Sequence, residues 1–178
     1  MTVKNLFKVA AVFVSGLFLS ACNQVKTTGM DSVLREAQLC LQVKQLVNQH
    51  QNGFEQFKGR LQTTKFMDVW DAKYQLVGNN CQIWRWSNGK QAYMCSLTVP
   101  DKQLANKKIE KAVGFTSQCL GNEWLKENLQ QNNSDAFRVV FSKPGENTVA
   151  SIHGLKTQGL FKSEWTVYYF IGDRDHTL

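Results

Sequence analysis

The chain has 178 residues, 43% of them hydrophobic and 20% charged, with 21 basic against 14 acidic side chains and a formal net charge of +7. That is enough chain for one domain with a real core and too little for several. Beyond the N-terminal region no apolar run approaches the ~20 residues a membrane-spanning helix needs, which excludes a bundle of such helices.

The basic excess is mild and its residues are scattered. It favours anionic partners such as lipopolysaccharide phosphates or an acidic protein, although plain solubility explains it as well. A nucleic-acid partner is not expected.

The first eight residues carry Lys4 and Lys8 and no acid. Val9 to Leu19 is apolar except for Ser15 and Gly16, too short to span a bilayer and of the right length for the core of a secretory signal. It closes on Leu19-Ser20-Ala21-Cys22. This segment resembles the lipobox of bacterial lipoproteins, an aliphatic residue and two small ones before a cysteine. The resemblance implies a thioether-linked diacylglycerol on Cys22, cleavage before it, and a further acyl chain on the freed amine. Two or more lipid chains anchor stably where one does not. Asn23, rather than Asp, follows the cysteine, which by the sorting rule of enteric bacteria implies the outer membrane, with the domain facing the periplasm. Residues 1–21 are therefore expected to be a signal peptide, 22–31 a lipidated cysteine with a polar tether, and 32–178 one periplasmic domain.

Asp31 or Ser32 can cap a first helix, in which Leu39, Val43, Leu46, Val47, Phe54 and Phe57 follow helical spacing. Gly53 is expected to end or kink it. Trp70, Ala72, Tyr74 and Leu76 alternate with polar residues as in a half-buried strand. Gly78-Asn79-Asn80 reads as a turn, and Gln82–Trp86 with Gln91–Thr98 as a hairpin around Asn88-Gly89. Asp101 can cap a second helix with Leu104, Ala105, Ile109, Ala112, Phe115 and Cys119 on one face and Gly121 at its end. Trp124, Leu125 and Leu129 suggest a further short helical piece, and Asn132-Asn133-Ser134 a loop. Phe137, Val139 and Phe141 alternate, Pro144–Asn147 is a turn, and Gly154 suggests a bulge in a strand from Thr148 to Leu155. Trp165–Ile171, apolar on both faces, suits a central strand.

The predicted fold is α+β, an antiparallel sheet of about six strands with two to three helices, in the order helix, three strands, helix, three strands. That order is similar to small envelope lipoproteins and periplasmic inhibitor proteins built from helix-plus-meander units. The resemblance is one of architecture and assigns no residue a role.

With Cys22 lipidated, Cys40, Cys81, Cys95 and Cys119 remain, an even number that reads as two disulfides in an oxidising compartment. We favour Cys81 with Cys95 and Cys40 with Cys119. A three-residue loop Ser87–Gly89 sets position 81 opposite 95, whereas a two-residue Asn88-Gly89 turn does not. The second pair would staple the two helices. No Cys-x-x-Cys occurs and the three histidines are scattered, so neither a metal nor a cofactor is expected.

His50, His153 and His176 lie apart, without a Gly-x-Ser-x-Gly, His-Glu-x-x-His or P-loop pattern, so no catalytic residue is assigned. Three features could bind a partner. Trp84 and Trp86 share a strand face and, with Arg85 between them, could form an aromatic platform, unless they cover the core beneath a helix. Lys107, Lys108 and Lys111, with Lys102, give the second helix a basic side that could meet phosphate or an acidic partner, or be merely solvated. Exposed Tyr168 or Phe170 in the segment Lys162–Ile171 would mark a protein interface. The expectation is a non-catalytic lipoprotein that binds another envelope component. Alternatives are an inhibitor or immunity-type binder of a soluble protein and, less favoured, a hydrolase acting on cell wall or lipid.

Overall fold

The structure is a computed structural model and describes residues 30–130, 136–158 and 163–176. Cys22 and its flanks, the loop expected at 132–134, and Lys162 lie outside the described residues. Helix α1 (Met30–Gln49) leads into strands β1 (Lys58–Thr63), β2 (Met67–Ala72), β3 (Asn80–Trp86) and β4 (Gln91–Val99). Helix α2 (Lys102–Leu120) precedes β5 (Leu125–Gln130), β6 (Phe137–Ser142), β7 (Thr148–Gln158) and β8 (Ser163–Asp173). All eight strands form one antiparallel sheet, in the order β1-β2-β3-β4-β8-β7-β6-β5. Each half is thus a helix followed by a four-stranded meander, and the halves join through their last strands.

The α+β class and the antiparallel sheet agree with the sequence, but among the described residues there are eight strands rather than about six, and each α-helix is followed by four strands rather than three. The two additional strands are the sheet edges. β1 (KGRLQT) is exposed over nearly its whole length and has no alternating apolar residues to announce it. β5 was expected to be helical because Leu125 and Leu129 stand four apart. A spacing of four also puts two residues on one face of a strand, and both leucines are exposed here.

Some element ends differ from expectation: Asp31 and Ser32 fall within α1 rather than before it, Phe54 and Phe57 lie beyond it, and Tyr74 and Leu76 follow β2. The Asp101 side chain caps α2, accepting from the Leu104 amide at 2.7 Å, and Gly121 ends it at φ 75°. Gly53 follows the end of α1 at φ 69°, after a 3-10 turn His50–Asn52. Gly154 marks no bulge, since β7 pairs continuously through it with β6 and β8. Its missing side chain instead admits α2: a Cβ there would lie 2.4 Å from Ile109 Cδ1.

Both helices pack on one face of the sheet. Leu46, Val47, Ala105 and Ile109 meet Ile83, Tyr93, Val139, Ile152, Val167, Tyr169 and Ile171 in one buried core. Two tyrosine hydroxyls sit inside it and both are satisfied. Tyr93 donates to the Tyr74 carbonyl at 3.0 Å and accepts from the Leu76 amide at 3.2 Å. Tyr169 pairs with Thr116 at 2.9 Å, and burial pushes its phenol up to about 12.

Two disulfides hold this layer, Cys40–Cys119 between the helices and Cys81–Cys95 across the β3–β4 hairpin. Cys81 lies directly opposite Cys95. Trp86 accepts from the Gly89 amide and donates to the Lys90 carbonyl, so the loop is the three-residue Ser87–Gly89, with Gly89 at φ 81° as that loop requires. A peptide map under nonreducing conditions should recover both pairs. Changing Cys40 and Cys119 together to Ser should lower the urea-unfolding free energy by about 2–4 kcal/mol, the usual loss for closing a long loop.

Candidate functional site

Alternation along the strands sends one set of side chains to the helices and the other to a face that neither helix covers. In β3, Cys81 and Ile83 join the helix-side core, so Gln82, Trp84 and Trp86 emerge on the other side. Trp84 and Trp86 are half-buried, with ring centroids 6.0 Å apart and an edge-to-face tilt of 63°. Trp84 Nε1 donates to Gln82 Oε1 at 3.0 Å, which fixes its ring. Met67 lies across from Trp86, and Val69 and Ala92 flank Trp84.

Trp86 also rests on a second, smaller core made by Ala92, Val140, Val149 and Phe170. Small residues make room for the aromatic rings. A Cβ on Gly172 would lie 2.5 Å from the end of the Phe170 ring and 2.9 Å from Ala92 Cβ. Trp86 is therefore seated on packed residues, and Trp84 is held by Gln82 and by the Trp86 ring.

Arg85, the central residue of the expected platform, points the opposite way. It lies on the helix side of the sheet, 5.1 Å from the centre of the Trp70 ring and paired with Asp68. Lys58 Nζ sits 4.1 Å from the same ring. This cation–π arrangement consumes Arg85 in folding. Phe170 is fully buried, and Tyr168 is half-buried on the helix-free face. Lys107, Lys108 and Lys111 are all exposed on the outer side of α2, away from Trp84 and Trp86. The structure therefore brings together Trp84 and Trp86, sets Tyr168 on the same face but four residues further along the sheet, opposite Ser96 rather than Ala92, and leaves Arg85 and the lysines elsewhere.

Sequence reading missed two polar clusters. On the helix-free face, Ser151 Oγ and His153 Nε2 are 2.9 Å apart, with Arg138 and Tyr168 facing His153 across the strands. Their spacing of two along a strand was the available signal. Ser151 is fully buried and His153 nearly so, so this hydroxyl does not face incoming substrate. Burial first, and the Arg138 guanidinium second, push the imidazole down to about 4. The second cluster joins His50 to Thr148 at 2.9 Å through Nδ1, with Asp173 3.8 Å from Nε2. Burial lowers the His50 pKa, opposed by Asp173 and the Gln91 backbone. Ser87 and Lys90 have the Ser-x-x-Lys spacing but occupy a hairpin loop rather than one face of a helix.

The chain matches no protein-family model, no curated protein and no solved structure.

The histidines make stability depend on pH. Unfolded, each titrates near its ordinary value of about 6.5. Folded, both titrate lower, so below about pH 6.5 the native state binds fewer protons than the unfolded state does. Their contribution is complete above about pH 6.5 and is lost as pH falls, for His153 on descent through about pH 4 and on the order of 3 kcal/mol. Urea midpoints measured from about pH 7 down to about pH 4 should fall, and the fall should be shallower in His153→Asn.

Proposed function

We propose that this protein is a lipid-anchored, non-catalytic component of the cell envelope that docks a partner protein through its helix-free sheet face. The observation that carries the reading is the Trp84–Trp86 pair, half-exposed, with Trp86 seated on a buried support and Trp84 against its edge. Aromatic anchors of this kind dominate protein interfaces, since they bring large area at little entropic cost. The two disulfides suit an oxidising compartment such as the periplasm. The segment Leu19–Cys22 supplies the anchor, and Asn23 favours the outer membrane.

A tethered domain at a membrane surface gains affinity from confinement alone, so a modest docking patch suffices. The basic side of α2 at Lys107, Lys108 and Lys111 is secondary in this reading.

Metabolic labelling with a palmitate analogue should mark the wild type and fail to mark Cys22→Ser. In-cell crosslinking of the anchored protein should give an envelope adduct that Trp84→Ala/Trp86→Ala reduces at least about tenfold, the effect of losing a hot spot. The triple change of Lys107, Lys108 and Lys111 to Glu should leave it. An adduct equally strong in the tryptophan variant would sink the docking face. Recovery of one soluble enzyme in place of a membrane-bound partner would favour an inhibitor instead.

A further inference from the structure

A cavity of about 460 Å³ opens on the helix side at one end of the sheet. Four connections meet there: the turn after α1, the β3–β4 loop, the β6–β7 turn and the end of β8. Its volume lies within the range of small-molecule sites, ~300–1,000 Å³. It does not involve Trp84 or Trp86, so it stands or falls separately from the docking face.

Among the described residues, two acceptors at this cavity have no protein donor: Gln91 Oε1, which is buried, and Asp173 Oδ2, on a side chain that is 16% exposed. The Gln91 amide is held in place against Gly53, where a Cβ would lie 2.5 Å from Gln91 Nε2. Asp173 Oδ1 accepts from Asn147 Nδ2 at 2.7 Å, but Oδ2 is 3.8 Å from His50 Nε2, beyond hydrogen-bonding reach. His50 is engaged on its other nitrogen by Thr148, and its lowered pKa keeps it uncharged at neutral pH, so it does not neutralise Asp173. A buried acceptor left unpaired is costly, and a ligand that brings N–H donors relieves that cost.

The donor that fits is a primary ammonium group. It carries three N–H bonds and a positive charge, and charge-assisted bonds to a carboxylate are the strong ones. A neutral polyol would leave the Asp173 charge uncompensated, and an anion would be repelled by it. At the rim stands a positive group, Lys90, whose Nζ is only loosely paired at 3.9 Å with Asp175. We propose that this cavity binds a small α-amino acid, its ammonium against Asp173 and Gln91 and its carboxylate against Lys90.

The test is an amide-shift titration of the isotope-labelled protein with alanine, ethylamine, acetate and glucose as probes. Alanine should shift the Gly53, Gln91 and Asp173 amides saturably, ethylamine more weakly, and acetate and glucose not at all. Asp173→Asn should weaken alanine at least about tenfold. Because that change could also disturb the fold, Lys90→Ala at the partly exposed rim provides a second arm. It should weaken alanine several-fold while leaving ethylamine unchanged. No saturable shift with alanine at tens of millimolar would overturn the proposal. So would glucose or acetate matching alanine, or undiminished alanine binding in both variants.

Discussion

The ladder between β4 and β8 joins the two halves, with Ala92–Val99 running against Trp165–Gly172. Each half is a helix and a meander with its first strand at an outer edge, so the only strands left to pair across the middle are the last of each. Once they pair, eight strands make one sheet and the core becomes continuous. Tyr93 and Tyr169 stand on these two strands, and each finds its hydroxyl partner outside the ladder, on the segment after β2 and on α2. Those bonds tie the flanking elements to the seam, because an unpaired phenol in this core would cost more than most single contacts return.

Two helices cannot cover both faces of an eight-stranded sheet. With α1 and α2 crosslinked on one side, the other side must close itself with its own side chains. It does so by alternating size: the Phe170 ring and Ala92 close over Gly172, and Trp86 packs against the cluster of Ala92, Val140, Val149 and Phe170. The same economy leaves Trp84 and Trp86 half-exposed. The candidate site is thus a consequence of how the helices are distributed, rather than an addition to the fold.

Much of this was legible in the residues. The hairpin register, the two disulfide pairs, the Asp101 and Gly121 caps and the central position of β8 each follow from a local rule with a strong signal. The edge strands did not, because edge residues are polar on both faces and carry no alternation to read. The shared face of Trp84 and Trp86 was legible from their spacing of two, but Arg85, expected in the platform, turns to the other face by the same alternation. Which face met the helices was not legible, since that depends on where β4, β7 and β8 put their own apolar residues. The cluster of His50, Thr148 and Asp173 was hidden for a different reason. Its members are far apart along the chain and meet only because β7 and β8 pair with Thr148 opposite Asp173.

The Cys40–Cys119 bond also has a mechanical meaning. Cys40 lies midway along α1, and its partner lies in the last turn of α2. Tension entering the domain from its N-terminal side can unravel α1 only as far as residue 40. There the covalent link passes the load to α2, which is seated on β4, β7 and β8. The second half of α1, with Val43, Leu46 and Val47 in the core, is spared. A pull from the N-terminal side would therefore be borne first by the domain's most deeply packed layer.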